Sequence, residues 1–156
     1  MTARSRNDWT AIPDWPACVW QEFVHTLTGQ QIGNGISRQV YEHATDPTLV
    51  IKVEMTAMTF QNVREWQTWD ALKDTKYAKW LAPCVLIGHS GNVLIQKRTQ
   101  PIPAGKEPKR LPEWLTDHKR DNYGLYEGRI VCHDYGTNLL LNHGAFGAKM
   151  REAKWR

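Results

Sequence analysis

Residues 48–54, TLVIKVE, combine an apolar, β-branched sequence with one central lysine, Lys52. The Val and Ile residues predict a strand that follows a turn at Asp46-Pro47. An isolated charge in a buried strand is costly, so Lys52 must either extend its ammonium to the surface or meet a buried anion. The rest of the fold therefore has to provide an anionic partner for Lys52 or a route to solvent.

The turn signals around this strand predict an antiparallel sheet. Residues 30–43 predict two strands joined through Gly33-Asn34-Gly35, and residues 82–88 and 92–98 predict a second hairpin. Together with residues 48–54, these segments give five strands of an α+β fold.

A helix predicted over residues 58–74 supplies the anion. By the 3.6-residue period its inward face carries Met58, Glu65, Trp69 and Leu72. An unpaired buried carboxylate would be as costly as an unpaired lysine, so a Lys52–Glu65 ion pair explains both residues at once.

The chain is predicted to be a single domain in four parts. These are an N-terminal helical segment (1–29), a sheet-bearing part (30–98), a hinge with three prolines (99–110) and a small second part (111–156). In the first part, Asp14 is the expected helix cap, Pro16 lies in the first turn and Gly29 ends the helix.

The second part predicts a short helix at 112–115 and then a polar loop. Two strands follow on either side of Glu127-Gly128, and the second of them leads into Asp134-Tyr135-Gly136. The basic segment after residue 148 is expected to be a solvated or disordered end.

Composition narrows the class of protein. The three cysteines lack metal-site spacing, which predicts reduced thiols in the core. No apolar run is long enough to span a membrane and the N-terminus has no signal-peptide core, so a cytoplasmic location is expected. The formal net charge is +4, but the basic residues are spread along the chain, so a nucleic-acid partner is not expected.

Five motifs, taken in chain order, resemble those of protein kinases. They are the glycine-rich turn Gly33-Asn34-Gly35 followed by Val40, the strand lysine Lys52, the helix glutamate Glu65, a D-x-K-x-x-N loop formed by Asp117, Lys119 and Asn122, and Asp134-Tyr135-Gly136. The resemblance covers residues 29–136. Residues 32–54 more narrowly resemble the small early protein kinases of short-tailed bacteriophages.

This resemblance implies a minimal protein-kinase-like α+β fold, with a five-stranded antiparallel N-terminal lobe, one packed helix and a very small C-terminal lobe. It also implies ATP and Mg²⁺ as cofactors. The glycine turn and Lys52 would contact phosphates, Asn122 and Asp134 would hold the metal, Asp117 would orient or deprotonate a hydroxyl, and Lys119 would neutralise the transferred phosphoryl group. His118 and His133 are expected to be structural or surface residues.

Two departures from the kinase pattern leave the function open. Arg38 stands where kinases have a third glycine, and only twenty residues follow Gly136, with no A-P-E motif.

Three hypotheses for the function follow. One hypothesis is a minimal kinase that phosphorylates Ser or Thr on a protein partner or on itself. A second is an inactive kinase-like phage protein that inhibits or redirects a host protein, and a third is a small nucleic-acid-binding protein using Arg110, Lys119, Arg120 and the C-terminal basic segment. A homodimer would cover apolar surface left by so small a second lobe.

Overall fold

The computed structural model describes residues 16–54, 59–140 and 149–156. In these residues the fold is α+β, with a five-stranded antiparallel sheet and two α-helices. Its strands are β1 (Thr28–Asn34), β2 (Arg38–His43), β3 (Leu49–Glu54), β4 (Cys84–Ile87) and β5 (Val93–Lys97), in the order β1-β2-β3-β5-β4. The helices are α1 (Ala17–Leu27) and α2 (Gln61–Leu72). The predicted sheet and both of its hairpins are therefore present.

The first hairpin turns later than the sequence predicts. Gly33 pairs with Val40 and Asn34 pairs with Gln39, so both residues belong to β1. The backbone N–H of Gly35 donates to the Arg38 carbonyl at 2.8 Å and closes the turn. An Asn-Gly pair is a strong signal for a two-residue turn, but two further ladder pairs move the bend to residues 35–38.

Helix α1 ends two residues before the predicted stop at Gly29. Thr28 already has extended dihedral angles and begins β1. Gly29 lies within the strand, where an added Cβ would be 3.3 Å from the Glu42 carbonyl oxygen, so this glycine permits close strand approach. Pro16 occupies the N-cap position. The expected cap, Asp14, lies outside the described residues.

Strand β3 separates two apolar clusters. On one side Ile51 packs with Trp20 of α1 and with Leu86 and Ile95 of the sheet. Since side chains alternate along a strand, the neighbouring Lys52 points to the opposite side, towards α2. The second cluster contains Leu72 of α2 and Leu94, with Trp114 and Tyr135 from later in the chain. The lysine is therefore enclosed between the sheet and the rest of the protein.

Helix α2 turns three of its polar residues inward. Its buried residues are Asn62, Glu65, Thr68 and Leu72. The prediction that Glu65 points inward is confirmed, since it has no exposed surface. Trp69 is only partly buried, and Met58 lies outside the described residues.

Two small two-stranded antiparallel sheets complete the fold. They are formed by β6 (Arg110–Pro112) with β9 (Met150–Glu152), and by β7 (Tyr123–Tyr126) with β8 (Arg129–Cys132). The turn at Glu127-Gly128, where both residues have positive φ, matches the prediction. The short helix predicted at 112–115 is absent, because Arg110 to Pro112 are paired in β6 and a turn follows.

The C-terminal segment forms strand β9 and packs through Trp155, which corrects the expectation of a disordered end, although most of its side chains are exposed to solvent. Trp155 meets Tyr123 edge to face with ring centroids 4.9 Å apart, and its indole N–H donates to the Pro108 carbonyl at 2.9 Å. Two of its arginines form ion pairs, Arg151 with Glu113 and Arg156 with Asp117. These pairs leave less positive charge free for a nucleic-acid surface.

All three cysteines are free, as predicted, but Cys18 is exposed and so is not a core residue. Cys84 and Cys132 are buried, and burial raises the pKa of the Cys84 thiol to about 12, which makes it unreactive at neutral pH. Among the helices described, none has the length and apolar character needed to cross a bilayer.

Candidate functional site

One cavity of about 890 Å³ brings the predicted site residues together. It lies between the glycine hairpin, β3, the chain at 96–101 and the segment 117–137. The predicted residues that line it are Gly33, Asn34, Gly35, Val40, Lys52, Asp117, Lys119, Asn122 and Asp134. The remaining one, Glu65, lies directly behind Lys52. Residues that are distant in sequence therefore share one site.

The predicted Lys52–Glu65 ion pair is present. The Lys52 ammonium lies 2.5 Å from Glu65 Oε1, and the lysine also donates to the backbone carbonyl of His133. Glu65 also accepts hydrogen bonds from Gln96 Nε2 at 3.0 Å and from the Tyr135 backbone N–H at 3.3 Å. Burial of this carboxylate is thus compensated by several donors, and Lys52 is fixed at the inner wall of the cavity.

Arg38 joins this network, which the sequence analysis did not foresee. One guanidinium nitrogen donates to Glu65 Oε2 at 3.1 Å and to Asn62 Oδ1 at 3.2 Å. The other donates to the Asp134 carboxylate. Arg38 is 6% exposed, so its charge is held inside the protein.

A signal for Arg38 was available in the strand pattern. Val40 pairs with Lys52, and Arg38 precedes Val40 by two residues. With a period of two, Arg38 and Val40 project from the same face of the sheet as Lys52. A basic residue that projects from the same face as Lys52 is therefore expected to place its charge in the cavity and not in solvent.

The Asp134 carboxylate is 47% exposed and stays ionised. Burial opposes ionisation, but the positive charges of Arg38 and Lys52 outweigh it and lower the pKa of Asp134 below its usual 3.8. An ionised carboxylate can accept about four hydrogen bonds or ligands, so the contact with Arg38 leaves capacity for another cation.

His133 links the hinge to the polar loop. Its Nε2 lies 2.8 Å from the Asp121 carbonyl, which can only accept, so Nε2 carries the proton. Its Nδ1 then accepts from the Thr99 hydroxyl at 2.8 Å. Burial and the charge of Lys52 lower the pKa of His133, which keeps the ring neutral near pH 7. This agrees with the expected structural role.

His118 is structural as well, and it holds the loop that carries Asp117. Its Nε2 contacts the Leu115 carbonyl at 2.8 Å, and its Nδ1 accepts from the Lys154 backbone N–H at 2.9 Å. Asp117 itself accepts from Arg156 at 3.2 Å and from the Lys119 backbone N–H at 3.3 Å. Asp117 is thus engaged by an arginine, as Asp134 is.

The Asp-Tyr-Gly segment is anchored on both sides. The carbonyl of Asn122 accepts the His133 backbone N–H at 2.8 Å, which ties the segment to the polar loop. The Tyr135 hydroxyl donates to the Ala82 carbonyl at 2.7 Å. A Cβ at Gly136 would lie 2.8 Å from the Gln61 carbonyl oxygen, so only glycine fits against the start of α2.

The donor set fits magnesium better than zinc. Within residues 16–54, 59–140 and 149–156, no group of three or more His, Cys, Asp or Glu side chains is arranged for a metal. Mg²⁺ is commonly held by one or two protein oxygen ligands together with substrate phosphates and water. The ionised Asp134 and the amide of Asn122, both lining the cavity, meet that requirement.

The chain matches none of the known protein-family models, and no curated protein is significantly similar to it.

Proposed function

We propose that this protein is a minimal kinase-like protein whose cavity binds ATP together with Mg²⁺. The observation that carries the proposal is the enclosed Lys52–Glu65 pair, with the Lys52 ammonium lining the same cavity as Asp117, Asn122 and Asp134. The cavity volume of about 890 Å³ suits a nucleotide-sized ligand.

Each side chain then has a role that follows from its chemistry. Lys52, held in place by Glu65, binds phosphate oxygens as a fixed positive charge. Residues 33–35 provide a backbone without bulky side chains at Gly33 and Gly35, so the chain can approach phosphates closely. Val40 and Val50 supply apolar surface for a nucleobase, since both line the cavity.

Asp117 is the candidate that orients or deprotonates an attacking hydroxyl, and Lys119 neutralises charge on the transferred phosphoryl group. Magnesium, when bound at Asp134 and Asn122, would supply further neutralisation of phosphate charge. Arg156 contacts Oδ1 of Asp117, and the carboxylate retains acceptor capacity for a hydroxyl.

A thermal-shift experiment tests the binding step. At 100 times its Kd, Mg-ATP should raise the unfolding midpoint by roughly 5–10 °C, because ligand binding to the folded state alone contributes about 2.7 kcal/mol. Lys52→Ala and Asp134→Asn should lose most of this shift, whereas the exposed control Lys149→Ala should keep it. No shift in wild type at millimolar Mg-ATP would refute the proposal.

A second candidate is an inactive kinase-like protein that binds a host protein. The observation that favours it is that arginines engage both carboxylates, Arg38 at Asp134 and Arg156 at Asp117. Incubation with labelled ATP separates the two candidates: a kinase labels itself or a partner and loses labelling in Asp117→Asn, whereas an inactive protein binds without labelling. A phage origin and a cytoplasmic location in the infected cell remain part of this proposal and rest on the resemblance of residues 32–54.

A further inference from the structure

A second concave surface lies outside the nucleotide cavity. It encloses about 480 Å³ and is lined by apolar residues from three parts of the chain, Trp80, Pro103, Pro108, Leu125 and Ile130. Its rim carries three cations, Lys79, Lys106 and Arg129. We call this surface the basic-rimmed groove. None of its lining residues lines the nucleotide cavity.

The floor of the basic-rimmed groove is a cross-strand pair. Leu125 of β7 lies directly opposite Ile130 of β8, and both side chains are only partly buried. Trp80 borders them and is also partly buried. Apolar side chains that adjoin in this way leave a contiguous patch for which burial by a partner is favourable.

The walls of the groove are fixed by hydrogen bonds. The Trp155 indole donates to the Pro108 carbonyl at 2.9 Å, and Arg120 donates to the Ile102 carbonyl at 2.5 Å. On the other wall, the Ala82 backbone N–H donates to the Cys132 carbonyl at 2.8 Å and ties the Trp80 segment to β8. Prolines at 103 and 108 stiffen the chain between these anchors. A preformed groove costs little ordering entropy when it binds a ligand.

The rim is positively charged. Lys79, Lys106 and Arg129 are all exposed, and Lys79 holds its ammonium 5.7 Å from the Trp80 ring centroid. The carboxylate of Glu127 lies 3.6 Å from Arg129, but both side chains are more than half exposed, so that pair is weak. An apolar floor within a cationic rim is complementary to a bulky apolar side chain flanked by carboxylates.

We propose that the basic-rimmed groove docks an acidic segment of a partner protein, in which a Leu, Ile, Met or aromatic side chain is flanked by Asp or Glu. The apolar side chain fills the floor between Leu125, Ile130 and Trp80, and the carboxylates meet the rim. A nucleic acid fits less well, because three rim cations offer few phosphate contacts and Trp80 is the one aromatic ring among the lining residues on which a base could stack.

Selection from random twelve-residue peptides displayed on phage tests this proposal. The bait is the full chain without nucleotide, and the counter-selection uses the charge-reversed variant Lys79→Glu/Lys106→Glu/Arg129→Glu. Enriched peptides should carry Asp or Glu within two residues of a bulky apolar residue. The variant changes only exposed side chains, so it should fold normally, and circular dichroism is used to check this.

The consensus peptide is then measured by fluorescence anisotropy. We expect the charge-reversed variant to bind at least tenfold more weakly, the matched control Lys149→Glu to stay within twofold of wild type, and Leu125→Ser to weaken binding at least fivefold. Enrichment without acidic residues, equal binding to the charge-reversed variant, or displacement of the peptide by a tighter-binding single-stranded oligonucleotide would each overturn the proposal. Because nucleotide is omitted, the result does not depend on the function proposed for the larger cavity.

Discussion

Arg38 and Asp134, which are 96 residues apart in the chain, are joined by a hydrogen bond between guanidinium and carboxylate. The same guanidinium donates to the fully buried Glu65. A single arginine thus connects the first hairpin, helix α2 and the Asp-Tyr-Gly segment around the candidate nucleotide site.

Replacing Arg38 with Met should lower the free energy of unfolding by about 3 kcal/mol. Removing one partner of a buried ion pair leaves the other charge with less compensation, although Glu65 keeps Lys52. Urea unfolding at pH 7 measures the change. The control Arg98→Met removes a partly exposed pair with Glu42 and should cost less than about 1 kcal/mol. Equal losses in the two variants would show that the buried Arg38 network contributes no more to the unfolding free energy than the partly exposed Arg98–Glu42 pair.

Gly124 should not tolerate alanine, because β7 lies directly against the hinge there. A Cβ at Gly124 would lie 2.2 Å from the Thr99 hydroxyl oxygen and 2.8 Å from the Gln100 carbonyl oxygen. We expect Gly124→Ala to cost about 1–3 kcal/mol in chemical denaturation. At Gly35 the nearest atom would be at 3.5 Å, so Gly35→Ala is the matched control and should be close to neutral. A neutral Gly124→Ala would mean that the hairpin and hinge lie further apart.

His133 should make the protein less stable as the pH falls below about 6.5. Its pKa is lowered in the folded state, so the unfolded chain binds the proton more readily and acid favours unfolding. The contribution of the neutral His133 ring to the unfolding free energy is fully present above about pH 6.5. It is lost as the pH falls towards the lower pKa that His133 has in the folded state. His133→Gln should flatten the dependence of unfolding free energy on pH between 7 and 5. The slope that remains in His133→Gln should come from His43, because burial lowers the pKa of that ring as well. An unchanged slope in His133→Gln would contradict the assignment.

Trp155 tests whether the C-terminal segment is part of the folded domain. Its ring packs on Tyr123 and its indole N–H is satisfied by Pro108. Burial of this side chain is partial, so Trp155→Ala should cost about 2 kcal/mol, roughly half the loss typical of a fully buried tryptophan. Lys154→Ala, an exposed neighbour, should change the unfolding free energy by less than about 0.5 kcal/mol. If the two variants behave alike, the segment does not stabilise the domain.

The strands and the lysine–glutamate pair could be predicted because local patterns determine them. The alternation and turn chemistry of residues 30–54 define the hairpins, and the 3.6-residue period of α2 directs Glu65 inward. The boundaries of the helices and hairpins were harder to predict. The position of the first turn depends on how far the β1–β2 ladder extends, and the Asn-Gly signal alone does not contain that information.

Contacts between distant segments could not be predicted in the same way. The Arg38–Asp134 and Arg156–Asp117 ion pairs each join residues from separate parts of the chain. Pairing of Met150 with Pro112 likewise depends on the tertiary fold, and it overrides the helical tendency of residues 112–115. The position of the backbone in the tertiary fold determines which groups a long side chain with several rotatable bonds can reach, so its partner cannot be predicted from the local sequence.

Calorimetric titration with Mg-ATP measures whether the cavity binds a magnesium–nucleotide complex. We expect one binding site per chain and wild-type affinity for the exposed control Asp74→Asn. The affinity should fall at least tenfold when magnesium is removed or when Asp134 is replaced with Asn. Undetectable heat of binding in wild type, or an affinity that is the same for Asp134→Asn and Asp74→Asn, would contradict the assignment of this cavity as a magnesium–nucleotide site.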